Sequence, residues 1–260
     1  MGGPAAMLGE ERRQYILNLI NKTGSVKAID IAKTLAVSEL TIRRDLDKLA
    51  KKEALKRTHG GAVNILSVGH EMKFDVQKEK YIEEKKRIAL AASALIEEED
   101  VILIEAGTTG YQTALNISNR AKLTVITNSC DIAVLLGKSN PGYKIILSGG
   151  ILNIDTHALV GPIADFAFKT TFVDKAFIGI SGIDLEKGIT ATDPIEAQTK
   201  KNIISCAKQV IALADHSKIG HVAMNYVAPA SRINVFITDR QADEAFIGKI
   251  RELDIIVIIK

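Results

Sequence analysis

Seven short apolar runs constrain the fold more than any other feature of this 260-residue chain. They occupy residues 101–104, 123–127, 144–148, 176–180, 210–214, 235–238 and 255–259, and helix-length segments lie between most of them. Runs of Val, Ile and Leu without polar alternation belong to strands covered on both faces. Strands that alternate with helices build parallel sheets. The pattern predicts an α/β domain over residues 81–260, a doubly wound, mostly parallel sheet flanked by helices.

The first 63 residues follow a different rhythm. Residues 11–22 carry Ile16, Leu19 and Ile20 at helical spacing, and Gly24 closes the segment. Ala28, Ile31, Ala32 and Leu35 share one face of a second helix. Ala36 and Val37 make a turn, and Ser38 is placed to cap a third helix that buries Ile42, Leu46 and Leu49. Residues 54–63 read as strand, Gly60-Gly61 turn, strand. Residues 10–63 are therefore expected to form a winged helix-turn-helix. Residues 1–9 read as a tag or a disordered tail, with Met7 an alternative start. The poorly periodic stretch 64–80 reads as a linker.

Charge divides the chain the same way. Residues 1–60 hold 12 Lys/Arg against 7 Asp/Glu, a net of +5, and the remainder hold 22 against 24, a net of −2. A basic head on a slightly acidic body fits nucleic-acid contact at one end. No apolar run approaches the ~20 residues that span a bilayer, and no signal-peptide pattern opens the chain, so no membrane association and a cytoplasmic location are expected. Cys130 and Cys206, 76 residues apart, suit neither a disulfide framework nor a metal motif. His59, His70, His157, His216 and His221 show no close metal spacing, and no cofactor is implied.

On the third helix, with Ile42 at zero, Leu46 and Leu49 fall within about 40°. Thr41, Arg44, Lys48 and Lys51 fall on the opposite face, at about 180–260°. One face packs inward while the other presents a hydroxyl and three cations, as a helix read into the major groove requires. The candidate DNA contacts are Ser38, Leu40, Thr41, Arg43, Arg44 and Lys48, with Arg57 and His59 on the hairpin. Arg44 is placed for a base edge, Arg43 for phosphate, and Leu40 for a thymine methyl. A charged, solvated helix is the competing reading of the cations alone.

These residues carry a resemblance. Residues 37–46, Val-Ser-Glu-Leu-Thr-Ile-Arg-Arg-Asp-Leu, followed by His59-Gly60-Gly61-Ala62, resemble the signature of the DeoR family of repressors. Glu84-Lys85, Ile88-Ala89, Gly107-Thr108-Thr109, Thr127-Asn128-Ser129, Gly149-Gly150, Val160-Gly161, Gly182-Ile183-Asp184 and residues 214–220 match in order over about residues 10–240. Two departures stand out: Glu105 where the family usually has Asp, and Gln77 where the linker often has Arg. The resemblance implies a sensor domain similar in fold to ribose-5-phosphate isomerase and glucosamine-6-phosphate deaminase. It also implies repression of a carbohydrate-metabolism operon relieved by a phosphorylated sugar.

Ligands of open parallel sheets bind at the carboxyl ends of the strands, where the polar loops of this chain fall. The expected effector residues are Glu105, Gly107, Thr108, Thr109, Asn128, Ser129, Gly149, Gly150, Asp215 and Lys218. Gly107-Thr108-Thr109 opens a helix after a strand, as a phosphate cradle does, or as an ordinary helix start does. Lys218 can neutralise a phosphate and Asp215 can accept sugar hydroxyls; a turn salt bridge between them is the competing reading. Glu196 and Lys200, spaced i, i+4, read as an intrahelical ion pair, whereas the resemblance places them beside the site. A sugar-phosphate isomerase-like enzyme with a fused DNA-binding head is the alternative function, but no carboxylate-rich motif is devoted to such chemistry. The chain is read as no enzyme. One winged helix offers few phosphate contacts, so a homo-oligomer, dimer or tetramer, on double-stranded operator DNA is expected.

Overall fold

Three helices, α1 (Gly9–Thr23), α2 (Ala28–Thr34) and α3 (Glu39–Lys51), bring their apolar stripes together around Ile16, Ile20, Ile31, Ile42, Leu46 and Leu49. The computed structural model describes residues 9–23, 25–51, 55–58, 60–63, 74–117, 122–140 and 142–260. The chain divides into two units, Met1–His70 and Glu71–Lys260. In the first, Ser38 Oγ accepts from Thr41 N at 3.1 Å at the start of α3, the expected cap. Asp45 is the charged exception on the inner face of α3. It accepts from Arg12 Nε at 2.5 Å and Arg13 at 3.2 Å, fastening α1 to α3.

The hairpin is a three-stranded antiparallel sheet rather than the two strands expected. β1 (Ser25–Lys27), β2 (Lys56–Thr58) and β3 (Gly61–Val63) pair in the order β1-β3-β2. The added strand explains Gly61: a Cβ there would lie 1.9 Å from the Val26 carbonyl oxygen. Only glycine lets the two backbones approach this closely.

In the second unit all seven apolar runs are strands of one parallel sheet. They are β4 (Val101–Ile104), β5 (Thr124–Thr127), β6 (Lys144–Leu147), β9 (Val173–Gly179), β12 (Ala207–Leu213), β14 (Val235–Thr238) and β15 (Ile256–Ile259). Their order is β15-β14-β12-β9-β4-β5-β6. Successive side chains on a strand face opposite ways. Thus Ala176 and Ile178 of β9 enter one apolar cluster and Phe177 enters the other; Ala212 and Leu213 of β12 divide likewise. Helices α8 (Pro162–Lys169), α9 (Pro194–Cys206) and α10 (Glu244–Arg251) cover the first face. The second is covered by α5 (Ile82–Ser93), α6 (Thr108–Leu115) and α7 (Cys130–Ser139). The edges depart from the expectation of full cover: Ile146, Leu147, Ile256 and Ile259 remain exposed.

Shorter pieces were not expected. The hairpin β7 (Ile151–Asn153) and β8 (Ala158–Val160) is antiparallel, as are β10 (Gly182–Asp184), β11 (Gly188–Ala191) and β13 (Asn225–Ala228). Within the stretch read as linker, residues 74–79 form a helix, α4 (Phe74–Glu79), in the second unit. Residues 64–73 lie outside the described residues. No helix among the described residues is long and apolar enough to cross a membrane.

Candidate functional site

Strand order reverses at the centre of the parallel sheet. From β4 the chain runs outward through β5 and β6; it then returns to the other side of β4 as β9 and continues through β12, β14 and β15. The crevice beyond the carboxyl ends of β4 and β9 is the switch point at which such sheets bind ligands. A half-open cavity lies there, lined by Glu105 after β4, Asn128 after β5, Ile180 and Ser181 after β9, and Ala214 and Asp215 after β12.

The N-terminus of α6 forms its floor. Gly107 has φ +141°, a conformation L side chains rarely adopt, and no side chain caps the helix. In contrast Ser129, Asp193 and Asp243 cap α7, α9 and α10. Thr108 and Thr109, both buried, line the cavity at the first turn, where helical N–H groups lack intrahelical acceptors and the dipole is positive. Asn128 lines it too, but its amide is engaged: Oδ1 accepts from Ala106 N at 2.7 Å and Nδ2 donates to Leu159 O at 3.3 Å. It holds the loop in shape.

Glu196 and Lys200 both line the cavity, yet they do not pair with each other as the i, i+4 spacing suggested. Lys200 Nζ donates to both carboxylate oxygens of Glu105 and, at 2.6 Å, to Gly179 O. Glu196 accepts from Thr156 Oγ1 at 2.7 Å and Asn153 Nδ2 at 3.3 Å, tying α9 to the β7–β8 hairpin. Tertiary partners outcompeted the exposed helical pair because both side chains face inward. Burial pushes the Glu105 carboxyl up from its usual range, with Lys200 pulling against it.

Asp215 caps and Lys218 ends a 3-10 turn, His216–Lys218, and the two do not form the turn salt bridge considered above. Asp215 accepts from Ser217 N at 3.0 Å and from the Ser217 hydroxyl. His216 is held by Asp239, whose carboxylate accepts from the His216 backbone N–H at 2.8 Å and lies 3.1 Å from Nδ1. Each carboxylate at the cavity thus has a structural partner.

Lys85 is the residue that sequence reasoning passed over. It lies on the buried face of α5 with Ile88, Ala89 and Ala92, and a lysine in that apolar stripe was the available signal. It lines the cavity, and its Nζ donates to Gln77 O. Burial brings its pKa down to about 8; Asp215 opposes the shift, while Lys218 and Lys80 add to it. Phe74 and Gln77 of α4, Thr156 and Thr199 also line the cavity. Ser129, Gly149 and Gly150 do not line the cavity. Ser129 is turned to cap α7, and the Gly149-Gly150 bend packs against Ile163 and Ala164 of α8.

On the N-terminal unit, Leu40, Arg43, Arg44 and Lys48 are exposed along α3, and Leu40 is 58% exposed despite being apolar. Thr41 is half-buried, its hydroxyl 2.8 Å from that of Ser38. Arg43 is not free for phosphate as it stands, since it pairs with Glu39 at 2.7 Å. Arg57 folds back as well, bonding Asp47 at 2.8 Å and the Gly61 carbonyl, because β2 directs it across the sheet rather than beyond the turn. His59 lies outside the described residues.

A winged helix-turn-helix with an exposed cationic helix, and a parallel sheet with a polar, charge-lined cavity at its switch point, define a ligand-sensing DNA-binding protein. Residues 12–68 match the DeoR-like helix-turn-helix domain, and residues 80–240 match the DeoR C terminal sensor domain. The chain belongs to the DeoR family and is a DNA-binding transcriptional regulator. It is 37% identical to the HTH-type transcriptional repressor GlcR of Bacillus subtilis (strain 168) over 242 residues, 92% of each chain. It is 30% identical to the L-fucose operon activator of Haemophilus influenzae (strain ATCC 51907 / DSM 11121 / KW20 / Rd) over 249 residues, 95% of this chain and 99% of that one. Among solved structures it resembles the full-length sorbitol operon regulator SorC from Klebsiella pneumoniae, at 12% identity and a TM-score of 0.40 over 92% of this chain and 98% of that one.

Proposed function

We propose that the chain represses a carbohydrate-metabolism operon and is released from its operator when a phosphorylated sugar fills the switch-point cavity. The observation that carries this reading is the charge arrangement there. Lys200 is neutralised by Glu105, whereas Lys85 and Lys218 surround the single carboxylate of Asp215, beside the uncapped N-terminus of α6. Two cations and a positive helix end suit a phosphate dianion. The nearby carboxylates and threonine hydroxyls suit sugar hydroxyls. The name of the B. subtilis relative supports repression, and that of the H. influenzae relative supports a carbohydrate operon.

In this reading Arg44, Lys48 and Thr41 of α3 enter the major groove, and Arg57 supports the wing from within. The head acts in pairs within a homo-oligomer of the cytoplasm, because its few cationic contacts give modest affinity alone. A thermal-shift screen of sugar phosphates tests the effector. A ligand at 100 times its Kd stabilises the fold by about 2.7 kcal/mol. Stabilisation by the unphosphorylated sugar as strong as by its phosphate contradicts the reading.

A further inference from the structure

Helix α4 directly follows the segment that leads from the DNA-binding unit, and two of its residues, Phe74 and Gln77, line the cavity. Six residues are too few for a stable helix on propensity alone. What holds α4 is therefore its packing, and that packing is concentrated at the cavity wall. The Phe74 backbone N–H donates to Asp155 O at 2.6 Å. Its ring stacks on His157, with centroids 4.8 Å apart and planes at 17°, and meets Tyr111 of α6 edge-on at 6.3 Å. His157 is itself fixed by Asp131 at 2.8 Å. At the other end Lys85 Nζ donates to the Gln77 carbonyl, and Tyr81 rests edge-on against His216, centroids 4.7 Å apart. Every one of these anchors touches the cavity lining or a residue adjoining it in sequence.

We propose that α4 is a wall of the effector site, with the Phe74 ring and the Gln77 side chain contacting the bound ligand. Occupancy then orders the segment from which the connection to the DNA-binding unit departs. The inference rests on the sugar-phosphate reading of the cavity. The ring face turned away from His157 offers a flat apolar surface to the C–H face of a pyranose or furanose, while Gln77 offers an amide to one hydroxyl. A ligand bridging α6 and α4 adds contacts to a helix too short to stand on propensity alone, and such marginal elements respond most to binding.

Hydrogen–deuterium exchange on the full-length protein, with glucose 6-phosphate, fructose 1-phosphate and inorganic phosphate as probes, tests this. The expected result is slowed exchange in peptides covering both 74–80 and 107–113 with a sugar phosphate, and in 107–113 alone with inorganic phosphate. Protection confined to 107–113 with a binding sugar phosphate overturns the inference and leaves the cavity reading intact. Protection in neither region with any probe overturns the cavity reading itself. Gln77→Ala gives an independent check, since its backbone carbonyl still accepts from Lys85. It is expected to bind the sugar phosphate roughly fivefold more weakly, with inorganic phosphate binding and melting temperature unchanged. Unchanged sugar-phosphate affinity in this variant also overturns the inference.

Discussion

Replacing Lys200 with methionine removes a charge from the buried end of the cavity while nearly preserving side-chain volume. Lys200 and Glu105 side chains are each only 8% exposed, and Gly179 O takes the third donor position of the ammonium at 2.6 Å. Removing one partner of a buried pair typically costs about 3–5 kcal/mol. For a unit of this size that lowers the melting temperature by roughly 10 °C. The loss carries a pH signature. Burial already pushes the Glu105 carboxyl up, and without Lys200 only the Gly179 backbone hydrogen bond offsets it. The folded variant then holds a proton that the unfolded chain releases, so its stability rises as pH falls toward the ordinary glutamate pKa of about 4.3. Calorimetry from pH 8 to pH 5 is expected to show a deficit against wild type that is largest at pH 8 and narrows by pH 5. The double variant Glu105→Gln/Lys200→Met is expected to recover most of the loss at neutral pH. A deficit below about 1 kcal/mol that does not vary with pH, the behaviour of a solvent-screened pair, refutes the reasoning.

The other predictions concern the head and the cavity cations. Arg44→Ala is expected to weaken operator binding by about 1–3 kcal/mol and relax sequence preference, without changing sugar-phosphate binding; wild-type operator affinity in electrophoretic mobility shifts would remove α3 from the groove. Gly61→Ala forces β1 from β3 and is expected to destabilise the head by about 3 kcal/mol, the upper end of overpacking costs. An unchanged melting profile for the N-terminal unit contradicts that close approach. With the Lys85 pKa at about 8, sugar-phosphate affinity is expected to fall between pH 7 and 9.5, where the phosphate, second pKa about 6, stays dianionic. Calorimetric affinity that is flat over this window places Lys85 away from the phosphate.

The seven core strands were legible because each is a continuous apolar run, a pattern created by helices on both faces. Their order was not, since a parallel strand carries no local mark of its neighbours. Three-residue strands such as β1 and β7 fall below the length at which a pattern can be read, so the third strand of the wing and the reason for Gly61 emerged only from the fold. The cavity was legible in part: Gly107, Thr108, Thr109, Asp215 and Lys218 follow directly on apolar runs, at the turns and helix starts where such sheets bind ligands. The partner of Lys200, by contrast, is 95 residues away. Local spacing favoured Glu196, and only the packing of α9 against the sheet redirects the ammonium to Glu105. Ser129 and the Gly149-Gly150 pair look like the other strand-end loops in sequence, but their groups are consumed in capping a helix and turning the chain.

The most direct test of the account follows a labelled duplex from the region upstream of the chain's own gene by fluorescence anisotropy. Wild type and Lys218→Ala are each saturated with this DNA and titrated with the sugar phosphate that gives the largest thermal shift. Wild type is expected to release the duplex as the ligand is added. Lys218→Ala is expected to bind the same duplex with wild-type affinity and to require at least about tenfold more ligand for release, the cost of one charge-assisted contact. Release of both proteins at the same ligand concentration would contradict the account and remove the effector from the switch-point cavity.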